Sequence, residues 1–212
     1  MPLRILFSLF ACAALMRAAE PAPTVVFFGD SITFGFGLPD PDAQSYPALI
    51  QRRIDEQGLP WRVVNAGLSG DTTAGGLRRL GWTLREAPGI FVLALGANDG
   101  LRGIDPAVTQ ANLEAIIGRV RARFPQTRIV LAGMRMPPSL GADYVAAFDA
   151  VFPRVAREKR VRLIPFLLAG VGGNPALNQA DGIHPNPAGA AVVAGTVWKT
   201  LAPLLEARSV GR

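Results

Sequence analysis

Histidine and cysteine are scarce in this chain, and that scarcity restricts the chemistry it can perform. The 212 residues contain one histidine, His184, and one cysteine, Cys12. A single histidine with scattered carboxylates matches no zinc-site spacing, so we expect no metal ion, and we expect no other cofactor. Cys12 lies in the N-terminal segment, and the rest of the chain has no thiol for a disulfide framework or a cysteine nucleophile. A reaction that needs an imidazole must therefore use His184.

Acidic residues are also fewer than basic ones: the chain has 16 acidic and 22 basic residues, and its formal net charge is +6. The basic groups, among them Arg78 and Arg79, are interrupted by apolar residues at helical or strand spacing, which is typical of solvated faces. A nucleic-acid site would need a concentrated basic stripe with aromatic neighbours, and the sequence has none. We expect no nucleic-acid partner, at most a peripheral contact with a membrane surface, and a monomer.

The N-terminal segment predicts export. Arg4 precedes an apolar stretch at residues 5–16, whose length suits a signal peptide and is short for a transmembrane helix. We predict a signal peptide over residues 1–19, a single domain over residues 20–212, and a periplasmic or secreted protein. Residues 9–12, which end in Cys12, faintly resemble a lipoprotein cleavage box. Phe10 fits that box poorly, so a lipid anchor is the less favoured alternative.

Apolar runs alternate with amphipathic stretches along the rest of the chain. Runs rich in β-branched and aromatic residues predict buried strands at 24–28, 61–66, 90–95, 128–132 and 161–165. Helical periodicity predicts helices over 46–57, 73–86, 106–124, 144–159 and 187–205. Pro153 is expected to kink the fourth of these helices or to begin a new turn. The alternation predicts an α/β fold: a three-layer α/β/α sandwich with a five-stranded parallel sheet, flavodoxin-like in type.

Segments rich in glycine and aspartate follow three of the predicted strands. They are Gly29-Asp30-Ser31, residues 67–71 and residues 96–99. Because ligands bind outside the carboxyl ends of the strands in such sheets, we expect these segments to meet at one edge. Each also has an ordinary structural interpretation: Ser31 fits a helix N-cap, the second segment fits a glycine turn before a helix, and Asn98 fits an Asx turn.

Three separated side chains suggest hydrolysis by an activated serine. His184 lies three residues after Asp181, a spacing that lets the carboxylate hold one ring nitrogen while the other faces Ser31. Gly70 offers a backbone N–H that no Cβ obstructs. The Asn98 amide offers uncharged donors to a developing oxyanion. For His184 alone, a surface or helix-capping role is the alternative.

The order of these motifs resembles that of the SGNH hydrolases, also called the GDSL esterase/lipase family. Ile32 stands where the family name has leucine. The resemblance implies that Ser31 is the nucleophile and that His184 is the general base, oriented by Asp181. It further implies an oxyanion hole formed by the Ser31 N–H together with Gly70 and Asn98. We expect two further members of these motifs, both aspartates, to hold the loop network: Asp30 and Asp99.

Residues 65–73, 98–103 and 181–186 are similar to an exported bacterial subgroup of arylesterases, acyl-CoA thioesterases and lysophospholipases. This similarity implies small acyl esters, thioesters or lysophospholipids as substrates. A carbohydrate acetylesterase of the same family and a non-catalytic flavodoxin-like binding module are the alternatives.

A segment after the fourth predicted strand is expected to border the acyl side of the cleft. It contains Met134, Met136, Pro137 and Pro138, and methionine and proline together can form an adaptable apolar wall. Packing beneath a loop is the alternative role of these side chains.

Overall fold

Five parallel strands form the sheet at the centre of the computed structural model, which describes residues 22–206. The strands are β1 (Thr24–Gly29), β2 (Arg62–Gly67), β3 (Ile90–Ala94), β4 (Arg128–Ala132) and β5 (Arg162–Ile164). Their order is β2-β1-β3-β4-β5, and each neighbouring pair is parallel. The predicted parallel sheet is confirmed. The predicted signal peptide lies outside the described residues.

Helices cover both faces of this sheet. They are α1 (Ser31–Phe34), α2 (Pro41–Gln44), α3 (Tyr46–Glu56), α4 (Thr73–Thr83), α5 (Ala97–Leu101), α6 (Pro106–Arg123), α7 (Ala142–Asp149), α8 (Val151–Lys159) and α9 (Pro187–Glu206), with a 3₁₀ turn at Pro138–Leu140. Helix α3 packs against α9, whereas α6 lies between α4 and α8. Because β1 leads to one side of the sheet and β3 to the other, right-handed crossovers place these two groups on opposite faces.

The helix predicted over residues 144–159 is two helices, α7 and α8, which meet at Ala150. Pro153 is the third residue of α8. The first turn of a helix has no intrahelical acceptors for its N–H groups, so proline is tolerated there and not in the middle of a longer helix. The proline therefore lies in the first turn of a new helix, and the start of a new turn is one of the two outcomes that the sequence predicts.

The central strands β1 and β3 are buried almost throughout, as expected when both faces of a parallel sheet are covered. Within the described residues, α9 is the one helix long and apolar enough to cross a membrane by length and composition. One side of α9 is packed in the core, where Val193, Val197 and Leu201 are buried, and the helix contacts α3 and β5. We interpret α9 as a core helix.

The strand order reverses between β1 and β3, which are neighbours in the sheet. The chain leaves β1 toward one side and β3 toward the other, so the loops after these two strands diverge and leave a crevice between them. Ser31 follows β1 and Asn98 follows β3. The topology therefore brings these two residues to the same opening.

Substitution of two valines of α9 tests whether the buried face of this helix stabilises the fold. Val197 is fully buried and Val192 is 38% exposed. Both substitutions to alanine change helix propensity equally, so their difference reports burial. We expect Val197→Ala to lower the free energy of unfolding by about 2 kcal/mol and Val192→Ala to change it by less than about 0.5 kcal/mol, measured by denaturant titration. Equal effects would contradict the packing of α9.

Candidate active site

Ser31 is the first residue of α1 and follows β1 after a sharp turn. The turn requires glycine at position 29, because a Cβ there would lie 2.0 Å from Thr33 Oγ1 and 2.9 Å from the Ala94 carbonyl oxygen. The helix cap is Asp30, whose Oδ1 accepts a hydrogen bond from the Ile32 N–H at 3.0 Å. Ser31 is therefore not the N-cap residue, and its hydroxyl is available for another contact.

That contact is with His184. Its Nε2 lies 2.9 Å from Ser31 Oγ, and its Nδ1 lies 2.6 Å from Asp181 Oδ2. The other carboxylate oxygen of Asp181 accepts the backbone N–H groups of Ile183, at 2.9 Å, and His184, at 3.0 Å. The structure thus brings the three side chains into one hydrogen-bonded chain that begins at the serine hydroxyl and ends at the carboxylate.

The Asp181 carboxylate stays ionised at neutral pH. Partial burial raises its pKa, but the hydrogen bonds from the backbone and ring of His184 and from the Ile183 N–H outweigh this and lower the pKa to about 2. An anionic acceptor at Nδ1 favours the tautomer that carries a proton on Nδ1. In that tautomer, Nε2 has a free lone pair directed at the Ser31 hydroxyl.

The histidine loop is fixed to the loop that follows Ser31. Gln179 Nε2 donates to the carbonyl oxygens of Phe36, at 2.7 Å, and Pro185, at 3.0 Å. The Phe36 ring also lies against the imidazole of His184, with 4.8 Å between the ring centroids. Gln179 is not recognisable from the sequence, because a single glutamine in a loop carries no motif and its partner is 143 residues away.

Three donors of the candidate oxyanion hole belong to different loops. Among the described residues, the backbone N–H groups of Ser31 and Gly70 have no hydrogen-bond acceptor. Gly70 has φ +77°, a left-handed conformation that glycine adopts without strain. Asn98 lies within α5, and its Nδ2 donates to the Asp71 carbonyl oxygen at 2.9 Å, across 27 residues. The second hydrogen of that amide is left for another acceptor.

Buried carboxylates support these loops, as the sequence predicts for Asp99. Its Oδ2 accepts the Thr73 N–H at 2.8 Å, and its Oδ1 accepts the Thr73 hydroxyl and, at 3.4 Å, the Thr109 hydroxyl. These bonds fix α5 to the starts of α4 and α6. Thr72 caps α4 by accepting the Gly75 N–H, so the loop before α4 serves as a helix start as well as carrying Gly70.

Arg79 lies at this edge, although the spacing of the basic residues in the sequence predicts a solvated helix face for it. Its side chain is 19% exposed and forms an ion pair with Asp71 at 2.6 Å. Its neighbour Arg78 is exposed, as predicted. The two arginines differ because adjacent residues on a helix point about 100° apart, a difference that a charge count does not show.

Comparison with known proteins identifies the family of this chain. The model of the GDSL-like Lipase/Acylhydrolase family matches residues 27–192. The chain belongs to this family. Esterase TesA of Pseudomonas aeruginosa is 43% identical over 200 residues, which cover 93% of this chain and 98% of that protein. Thioesterase 1/protease 1/lysophospholipase L1 of Escherichia coli (strain K12) is 37% identical over 198 residues, 93% of this chain and 91% of that protein.

A solved structure gives the same result for the fold of this GDSL hydrolase. The crystal structure of TesA matches with a TM-score of 0.81 and 44% sequence identity, and the match covers 85% of this chain and 99% of that one. The resemblance of the motifs to the SGNH hydrolases is confirmed, and the protein is an enzyme of the ester-hydrolase class.

The predicted substrate wall of the hydrolase is only partly at the surface. Met134 and Met136 are 2% and 8% exposed, and a Cβ on Gly100 would lie 2.2 Å from Met136 Sδ. Both methionines are therefore core residues, as the alternative of packing beneath a loop predicts, and a substrate contact for them stays a prediction. Pro137 and Pro138 are exposed and stay predicted substrate contacts.

Asp30 gives the hydrolase a pH-dependent contribution to stability. Burial raises the pKa of Asp30 from 3.8 to about 7; the Ile32 N–H opposes this rise, and the charges of Asp71 and Asp99 add to it. Among the described residues, Asp30 Oδ2 has no hydrogen-bond partner. Between these two pH values the folded protein holds a proton that the unfolded chain has lost, so this group stabilises the fold less as pH rises.

We therefore expect the wild type to lose stability relative to Asp30→Asn as pH increases from 4 to 7. Asparagine resembles the protonated acid and does not titrate, so any constant cost of the substitution cancels from the pH dependence. Denaturant titrations of both proteins across this range measure the difference. A difference that stays constant, or that changes in the opposite direction, would show that Asp30 is ionised in the folded protein at pH 4–7.

Proposed function

We propose that this enzyme hydrolyses acyl esters and thioesters, including lysophospholipids, through an acyl-enzyme on Ser31. The observation that carries the proposal is the hydrogen-bonded chain from Ser31 through His184 to Asp181, with contacts of 2.9 and 2.6 Å. A passive binding site has no need of an imidazole that an anionic carboxylate orients toward a hydroxyl.

In the first half of the reaction, Ser31 Oγ attacks the acyl carbonyl carbon while His184 Nε2 takes its proton. Asp181 stabilises the imidazolium that forms. The carbonyl oxygen becomes an oxyanion, which accepts hydrogen bonds from the Ser31 and Gly70 N–H groups and from the Asn98 amide. When the tetrahedral intermediate collapses, the bond to the leaving group breaks and His184 gives its proton to the departing alcohol or thiol.

In the second half, water attacks the acyl-enzyme. His184 takes the proton of the water, the same donors stabilise the second oxyanion, and the bond between the acyl carbon and Ser31 Oγ breaks. His184 then returns a proton to Oγ, and the carboxylic acid leaves. The donors act on the acyl oxygen alone, so the mechanism accepts oxygen and sulfur leaving groups alike.

Exposed apolar side chains that neighbour the site residues in the sequence favour acyl chains as substrates. Five large apolar side chains that are 42–52% exposed lie near the site residues in the chain: Phe34, Phe36, Leu68, Leu101 and Ile183. An acyl chain of the substrate that covers these side chains removes apolar surface from water. The printed names of the relatives, esterase for TesA and thioesterase and lysophospholipase for the Escherichia coli protein, agree with this class of substrate.

We also propose that the enzyme is exported and acts as a periplasmic or secreted monomer. Support for export comes from Arg4 and the apolar stretch at residues 5–16. Ser31, His184 and Asp181 all come from one chain, so the proposed site is complete in a monomer. Any contact with a membrane is then peripheral.

Substitution of the nucleophile tests the reaction. We expect Ser31→Ala to lower kcat by at least about 10³-fold with both p-nitrophenyl butyrate and butyryl-CoA, because one hydroxyl attacks both substrates. The variant should also lose covalent labelling by a fluorophosphonate probe, while its circular dichroism and Tm stay close to those of the wild type. A folded Ser31→Ala protein that retains a tenth of the activity would refute the proposed mechanism.

A further inference from the structure

The guanidinium of Arg79 joins three separate backbone segments at the active-site edge. Its Nη2 donates to the carbonyl oxygen of Gly29 at 2.8 Å, and its Nη1 donates to that of Ala66 at 3.0 Å. Its Nε donates to Asp71 Oδ2 at 2.6 Å. One side chain of α4 therefore binds the end of β1, the end of β2 and the loop that follows β2.

Two of these acceptors lie within two residues of a donor of the candidate oxyanion hole. Gly29 is two residues before Ser31, and Asp71 directly follows Gly70. The carbonyl oxygen of Asp71 also accepts the hydrogen bond from the Asn98 amide at 2.9 Å. The Ser31 N–H, the Gly70 N–H and the Asn98 amide are thus each connected to the same guanidinium through one or two residues.

The guanidinium itself is held in a fixed plane. Its central carbon lies 3.9 Å from the centroid of the Phe28 ring, a cation–π geometry, and Phe28 is fully buried in β1. A planar fork with donors in several directions can bind three acceptors at once, whereas the ammonium group of a lysine is a compact charge at the end of a flexible chain. The identity of the residue as arginine matters for this geometry.

We propose that Arg79 is a positioning residue that sets the geometry of the oxyanion hole. The proposal rests on the function proposed above. Arg79 does not touch the reacting atoms; it fixes the peptide groups whose N–H bonds receive the developing negative charge. Since those donors bind the oxyanion much more strongly than the ground-state carbonyl, their displacement lowers kcat more than it changes substrate affinity.

The conservative variant Arg79→Lys tests this role, and Arg78→Lys is its matched control. Both make the same chemical change at neighbouring positions of α4, but Arg78 is exposed and, within the described part of the chain, forms no side-chain hydrogen bond or ion pair with these loops. Active enzyme is quantified by end-point labelling with a fluorophosphonate. We expect Arg79→Lys to lower kcat for p-nitrophenyl butyrate about 10- to 100-fold, with KM within about twofold, and Arg78→Lys to leave both unchanged.

A second readout separates positioning from general damage to the structure. An alkyl trifluoromethyl ketone forms a tetrahedral oxyanion adduct with the serine, so its affinity should fall in Arg79→Lys by about the factor that kcat falls. A folded Arg79→Lys protein whose kcat is within twofold of the wild type would overturn the proposal. So would a KM that rises while kcat and ketone affinity stay constant.

Asp71→Asn keeps the proposal testable if Arg79→Lys fails to fold. It retains the size of the side chain and the bonds from Arg79 to Gly29 and Ala66, but it weakens the contact that fixes the Gly70 loop. We expect kcat to fall at least about threefold with KM within twofold, and an unchanged kcat would overturn the proposal. Ser31→Ala is assayed in parallel: activity retained there refutes the proposed function itself, whereas activity lost there but kept in Arg79→Lys refutes only the role of Arg79.

Discussion

The hydrogen bond between Ser31 Oγ and His184 Nε2 joins groups that are 153 residues apart in the chain, and the candidate chemistry depends on it. The sheet order makes the bond possible, because Ser31 follows β1 at the point where the order reverses and the histidine loop closes over the same edge. Gln179 reinforces the closure by binding the Phe36 carbonyl oxygen. The fold thus contributes proximity, which is the part of catalysis that no local motif supplies.

The negative charge of the aspartates at this edge is partly offset. Asp30, Asp71 and Asp99 are all buried near the candidate oxyanion hole, and a surplus of negative charge there would oppose an oxyanion. Arg79 pairs with Asp71, and burial raises the pKa of Asp30 so that its carboxyl holds a proton more readily. The carboxylate that must stay ionised is Asp181, whose hydrogen bonds lower its pKa instead.

Much of this arrangement follows from patterns that are local in the sequence. The buried strands are continuous apolar runs, and the helices have regular apolar spacing, so the parallel sheet was predictable. The pairing of Asp181 with His184 was predictable because the chain has one imidazole and an aspartate at turn distance from it. Ser31 was predictable because Gly29-Asp30-Ser31 follows a predicted strand and resembles the first motif of the SGNH hydrolases. Arg79 was not, since periodicity does not show which side of α4 faces the strand ends. The burial of Met134 also needed the structure, because methionine suits a core and a cleft equally.

The single histidine of the chain allows one spectroscopic measurement to test the triad directly. In protein labelled with ¹⁵N-histidine and made without a histidine tag, every imidazole signal belongs to His184. We predict that the neutral ring carries its proton on Nδ1, that Asp181→Asn shifts this proton's resonance, and that Ser31→Ala shifts the Nε2 resonance. A neutral ring protonated on Nε2, or ring signals that neither substitution changes, would contradict the account.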